Sequence, residues 1–176
     1  MPNQLHSSKP ISSSHFSVLS FLFFLSGASG LILQVVWMYR LGLIFGNAAY
    51  ATAATLAAFF LGLAIGGWFL GNASAQFKRP LVAYGLMEIG IALTALLIIP
   101  GIQFYETHYA SVVALTDGNQ SFLTILKFIF SITLLLLPTV LMGGTFPVLA
   151  QFIGKEKRQL ANRGTILYAV NTLGAS

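Results

Sequence analysis

Residues 128–153 read FIFSITLLLLPTVLMGGTFPVLAQFI, without one charged side chain. A helix needs about 20 apolar residues, at 1.5 Å rise each, to cross some 30 Å of hydrocarbon. This stretch is therefore long enough to span a bilayer, and with Lys127 just before it the span is placed over about 124–153. The same criterion finds three more runs upstream. Residues 16–39 lie between His15 and Arg40; residues 48–71 are charge-free; residues 81–100 carry a single charge, Glu88. A fifth apolar run covers 164–176 and rises only about 20 Å, too little to span unaided. The expected fold is an all-α integral membrane bundle of four full transmembrane helices and a partial fifth.

Composition agrees. Of 176 residues, 56% are apolar and 7% charged, against about 45–50% and 25% in soluble domains. Such a chain cannot cover itself with charge, and lipid is its expected partner. Disorder is excluded for the bulk of the chain, because disordered segments are poor in apolar residues. With no cysteine, disulfides, thiolate nucleophiles and thiolate-bound metals are excluded. The net charge of +5 would in a soluble protein raise the question of nucleic acid. Here the basic residues sit between apolar runs and read as topology signals, so no nucleic-acid partner is expected.

The connections divide by charge. Lys9 stands in a serine-rich segment, 1–15, read as a disordered cytoplasmic tail. Lys78 and Arg79 follow the second run; Lys155, Lys157, Arg158 and Arg163 follow the fourth. The connection after the third run holds Glu106 and Asp117 and no Lys or Arg. An N-terminus inside the cell puts seven of the nine basic residues in the cytoplasm, leaving Arg40 and Lys127 toward the outside, which is the positive-inside pattern. The expected location is the plasma (inner) membrane, multi-pass, with the N-terminus cytoplasmic. The first apolar run is too long for a signal-peptide core of 7–15 residues and is read as an uncleaved helix.

Four groups of residues stand out. Gly62, Gly66, Gly67 and Gly71 form two G-x-x-x-G spacings, which let helix backbones approach closely; tight packing within the bundle is the plain reading, a dimer or sliding surface the sharper one. Pro138, Gly143, Gly144 and Pro147 predict a kinked or interrupted fourth helix, because proline removes a backbone donor and clashes with the preceding turn. Transporters place substrate at such breaks. Glu88 is the one acidic residue inside a span, about 10 Å from its start. A carboxylate there faces the bundle and finds a partner or a proton. Thr145, Tyr168 and Asn171 are expected at a similar depth and complete a candidate polar site, either an interhelical hydrogen bond or a proton or cation site. Gln34, Trp37 and Arg40, spaced by three, share a helix face and are expected at the outer interface, where aromatic rings and long cations settle.

No dinucleotide or phosphate-loop glycine motif is present, and His6, His15 and His108 are scattered. No catalytic, cofactor-binding or metal-ligating set is expected in this chain.

Several segments together are distinctive: FLSGASG (24–30), QVVWM (34–38), LGLIFGN (41–47), YATA (50–53), FLGLAIG (60–66), YGLMEIG (84–90), LLPT (136–139), LMGGTFP (141–147) and YAVNTLGA (168–175). In order and spacing they resemble the membrane portion of the fused spermidine synthase-like membrane proteins, in which a major-facilitator-like region is joined to a spermidine synthase. The resemblance runs from Phe16 onward. Glu88 fits the family pattern, and the family's Arg after the Trp is displaced to Arg40. Asn72 and Ala75 stand where the family often carries Arg and Asp, so a charge-relay gate in that loop is not implied. The resemblance implies a membrane region that anchors or couples to a polyamine-handling catalytic domain, and the chain is then a fragment completed by a C-terminal continuation, a second copy or a partner subunit. A polyamine or other cation is the implied ligand of the Glu88 region. The alternatives are a transporter half-domain for a cationic small molecule and a structural or assembly subunit.

Overall fold

The computed structural model describes residues 13–153 and 157–176. The expected tail falls almost wholly outside the described residues, as do residues 154–156. Of the tail's residues, 13–15 are already helical.

Five helices follow in order: α1 (Ser13–Phe45), α2 (Ala48–Ser74), α3 (Pro80–Leu115), α4 (Gln120–Ile153) and α5 (Lys157–Gly174). No strand occurs among the described residues. The first four are long and apolar enough to cross a membrane. Only 17% to 28% of their most apolar windows is buried by protein; Phe21, Ile32, Trp68, Leu96 and Leu137 are among the many large side chains left outside. Apolar surface on this scale requires lipid as solvent. The chain is a multi-pass helical membrane protein.

The turns follow from local chemistry. Gly46 takes φ +68° and ends α1 in the left-handed region that glycine enters freely. Asn47 then caps α2, its side-chain oxygen accepting from the amide of Ala49 at 2.8 Å. Asp117 and Gly118 both take positive φ between α3 and α4, and Asn119 caps α4 by accepting from the Phe122 amide at 3.1 Å.

Two expected boundaries are corrected. The third span does not stop at Pro100; α3 runs on to Leu115 with Pro100 inside it. The ring removes one backbone bond, but the next turns are held by packing: Ile102 joins Trp37 and Leu41, and Tyr105 stacks on Phe130 of α4 at 4.8 Å. Likewise α4 is one continuous helix through Pro138 and Pro147, not an interrupted one. The carbonyls freed are those of Leu134 and Gly143, while the Thr139 hydroxyl donates to the Leu135 and Leu136 carbonyls and that of Thr145 to Met142, so the neighbouring helix carries the support. A close neighbouring helix is one of the things that make proline tolerable in a spanning helix.

That neighbour is α2, which runs parallel to α4. A Cβ at Gly62 would collide with Thr139, and one at Gly66 with the Val140 carbonyl. Gly143 presses on the Leu63 backbone and Gly144 on the Leu70 side chain. Gly67 and Gly71 are looser, where a Cβ would sit 3.6 Å from the Gly143 oxygen and 3.5 Å from Pro147. Lipid tails are as apolar as Leu, so helices associate through close packing rather than through the hydrophobic effect. The glycines on both helices make that packing available.

Helices α1 and α5 also run parallel. Gly27 lies against Asn171, and Gly174 against the Phe24 carbonyl. The core divides into two apolar clusters. One, at the end bearing the basic connections, gathers Phe23, Tyr84, Met87, Val148, Leu149 and Leu167. The other, at the acidic end, gathers Trp37, Leu41, Ala51, Ala58, Ile98 and Leu135. A polar layer separates them.

Candidate functional site

The polar layer is built from the middle of α1, the first turns of α3, the later part of α4 and the last turns of α5. Its centre is Glu88, half-buried on α3. The Ser26 hydroxyl on α1 donates to Glu88 Oε1 at 2.7 Å. Tyr84 lies one turn before Glu88 on the same face. The Tyr84 ring is fixed edge-on against Phe23, with centroids 6.1 Å apart. The carboxylate is thus tied to α1 by the Ser26 hydroxyl, with Tyr84 one turn away on its own helix.

Ser26 also lines a cavity of about 190 Å³. Its polar wall is Ser26, Gln34, Thr145 and Asn171; its apolar wall includes Leu31, Phe59, Leu63 and Met142. Four helices meet there, because Gly27 and Gly30 leave α1 without side-chain bulk at this level. Asn171 is held in place by donating to the Phe23 carbonyl at 2.9 Å. Thr145 is buried, with its hydroxyl on the Met142 carbonyl at 2.7 Å. The Glu88 carboxylate is one hydrogen bond removed from this cavity, through Ser26.

The four residues expected to cluster are thus partly brought together. Thr145 and Asn171 face one cavity, and Glu88 reaches it through Ser26. Tyr168 does not join them: it is 62% exposed and its ring packs edge-on against Phe146 at 5.7 Å. The face that α5 turns to α1 carries Asn171 and Gly174, which leaves Tyr168 at its margin. Ser26 and Tyr84 were not anticipated. Tyr84 is legible in retrospect as the residue four before Glu88; a serine within a run of small residues carries no comparable signal.

The expected outer-interface group of Gln34, Trp37 and Arg40 is divided, and this is a correction. Gln34 lines the central cavity. Trp37 is 3% exposed and belongs to the acidic-end core, where residues of α2, α3 and α4 gather on that face of α1. Only Arg40 stays exposed, with Tyr39 beside it as the outward-facing aromatic residue. Among the described residues no three His, Cys, Asp or Glu side chains gather as a metal site.

Comparisons with family models, with curated proteins and with solved structures find no match for this chain.

Proposed function

We propose that this chain is the membrane region of a polyamine-handling protein and that Glu88 receives one ammonium group of an alkylamine. One observation carries the reading: the Glu88 carboxylate is held by the Ser26 hydroxyl at 2.7 Å, and Ser26 opens on a cavity with both polar and apolar walls. A carboxylate within a membrane bundle is costly and marks a site that takes a cation or a proton. A polyamine needs more than a counter-charge. Its methylene segments suit the wall of Leu31, Phe59, Leu63 and Met142, and its second amine suits the carbonyl oxygens of Gln34 and Asn171. The resemblance to spermidine synthase-like membrane proteins supports the same ligand class and adds a catalytic domain to which this region anchors or couples. On this reading the chain lies in the inner membrane with its N-terminus cytoplasmic, as the distribution of Lys and Arg favours.

The test is thermal unfolding of the purified full chain in detergent with α,ω-diamines of increasing length. A ligand that binds only the folded state stabilises it by mass action. Diamines stabilise the wild-type chain in a length-dependent way and leave Glu88→Gln unchanged. Equal shifts in both proteins, or none in either, contradict the proposal.

A second reading is favoured by the α2–α4 interface. Gly62 on Thr139, Gly66 on Val140 and Gly143 on Leu63 interlock too closely for the two helices to slide. A static anchor or assembly subunit uses such a contact directly. Stable co-purification of a partner, with Glu88 dispensable for it, is its expected signature.

A further inference from the structure

A second and larger cleft, of about 660 Å³, opens between α1 and α3 toward the acidic end of the bundle. It is independent of the Glu88 site. Its deep end lies at Ser29 and Ala92, its far end at Arg40 and Glu106. By helical rise it is about 17 Å long along α1 and about 21 Å along α3. The walls between are apolar, with Ile32, Val36, Leu96 and Ile99 all well exposed. The two charged residues, of opposite sign, both line the far end of the cleft.

This arrangement has the polarity of a lipid: an apolar trough with a cation and an anion at one end. The Arg40 guanidinium presents a planar fork of donors that matches a phosphate. The Glu106 carboxylate is an acceptor only, so it complements an ammonium that carries N–H donors. A quaternary ammonium carries none. An anionic headgroup without an amine satisfies Arg40 and is repelled by Glu106.

We propose that the α1–α3 cleft binds a phospholipid with a primary-ammonium headgroup, a phosphoethanolamine lipid. Its phosphate lies on Arg40, its ammonium on Glu106, and one acyl chain lies in the trough toward Ser29 and Ala92. Trp37 lines the same cleft and provides a reporter. The only other tryptophan, Trp68, is 72% exposed on α2 and can be replaced without disturbing the core.

The experiment uses the full chain carrying Trp68→Phe, reconstituted in phosphatidylcholine bilayers. Lipids brominated along the acyl chain are added with either an ethanolamine or a choline headgroup, and quenching of Trp37 is read. At equal mole fraction the ethanolamine lipid is expected to quench with roughly threefold higher apparent affinity, the scale of an exposed ion pair. Glu106→Gln is expected to abolish that preference while leaving helical circular dichroism unchanged. Equal quenching by the two headgroups in the Trp68→Phe chain would mean ordinary boundary lipid and overturns the proposal. Absence of quenching by either lipid would mean that protein, such as a second copy, covers the cleft, and overturns it as well.

Discussion

The Ser26 hydroxyl donates to the Glu88 carboxylate at 2.7 Å, joining the middle of α1 to the first half of α3. Together with the Phe23–Tyr84 ring contact, this bond ties the two helices at that level and holds the carboxylate next to Ser26, which lines the central cavity. Ser26→Ala is expected to destabilise the bundle by about 1 kcal/mol, since interhelical hydrogen bonds in membrane proteins average near 0.6 and reach about 1.7 kcal/mol. Glu88→Gln keeps an acceptor oxygen and should cost less than Glu88→Ala. Unfolding by SDS titration, followed by circular dichroism, measures all three.

The glycines of the α2–α4 interface are not equivalent to glycines elsewhere. Gly66→Ala and Gly143→Ala place a methyl group into backbone atoms of the facing helix, and such overpacking costs typically 1–3 kcal/mol. Around Gly30 and Gly85 a Cβ meets nothing within 4 Å. Alanine there should be neutral or stabilising by up to about 1 kcal/mol through helix propensity. The same titration separates the two groups, and similar losses at all four positions would contradict the packing described.

Asn171 holds α5 to α1 through the Phe23 carbonyl. Asn171→Ala is expected to loosen α5 without unfolding the other four helices. Hydrogen exchange of backbone amides in residues 165–174 should accelerate several-fold, with exchange in α2 and α4 unchanged.

The two tryptophans should respond oppositely to truncation. Trp37 is 3% exposed and packed among Leu41, Ile98 and Ile102; Trp37→Ala is expected to cost about 3–5 kcal/mol. Trp68 faces lipid, and Trp68→Ala should change stability by less than about 1 kcal/mol.

The membrane fold was legible because bilayer thickness sets a length that charge-free runs either meet or miss. Where a helix ends was less legible. Pro100 reads locally as a stop, yet the contacts of Ile102 and Tyr105 carry α3 past it. Pro138 and Pro147 read as a break, yet α4 stays whole, packed closely on the small-residue face of α2. Spacing by three put Gln34, Trp37 and Arg40 on one face but could not say what covers it, and so Trp37 was expected outside. Glu88 was conspicuous as a charge in an apolar run. Its partner Ser26 was not, because a serine in lipid ordinarily bonds back to its own helix, as Ser20 does to the Phe16 carbonyl. The rotation of α5, fixed by Gly27 and Gly174, decided that Asn171 faces the cavity and Tyr168 does not.

The central claim is that Glu88 is the acceptor for an alkylammonium group, and equilibrium binding of radiolabelled spermidine to the purified full chain tests it most directly. The account predicts saturable binding near one per chain in the wild type. It predicts at least a tenfold weaker affinity in Glu88→Gln, about 1.4 kcal/mol or more, with unchanged helical circular dichroism. Binding of equal strength in the two proteins, or no saturable binding in the wild type, would contradict it.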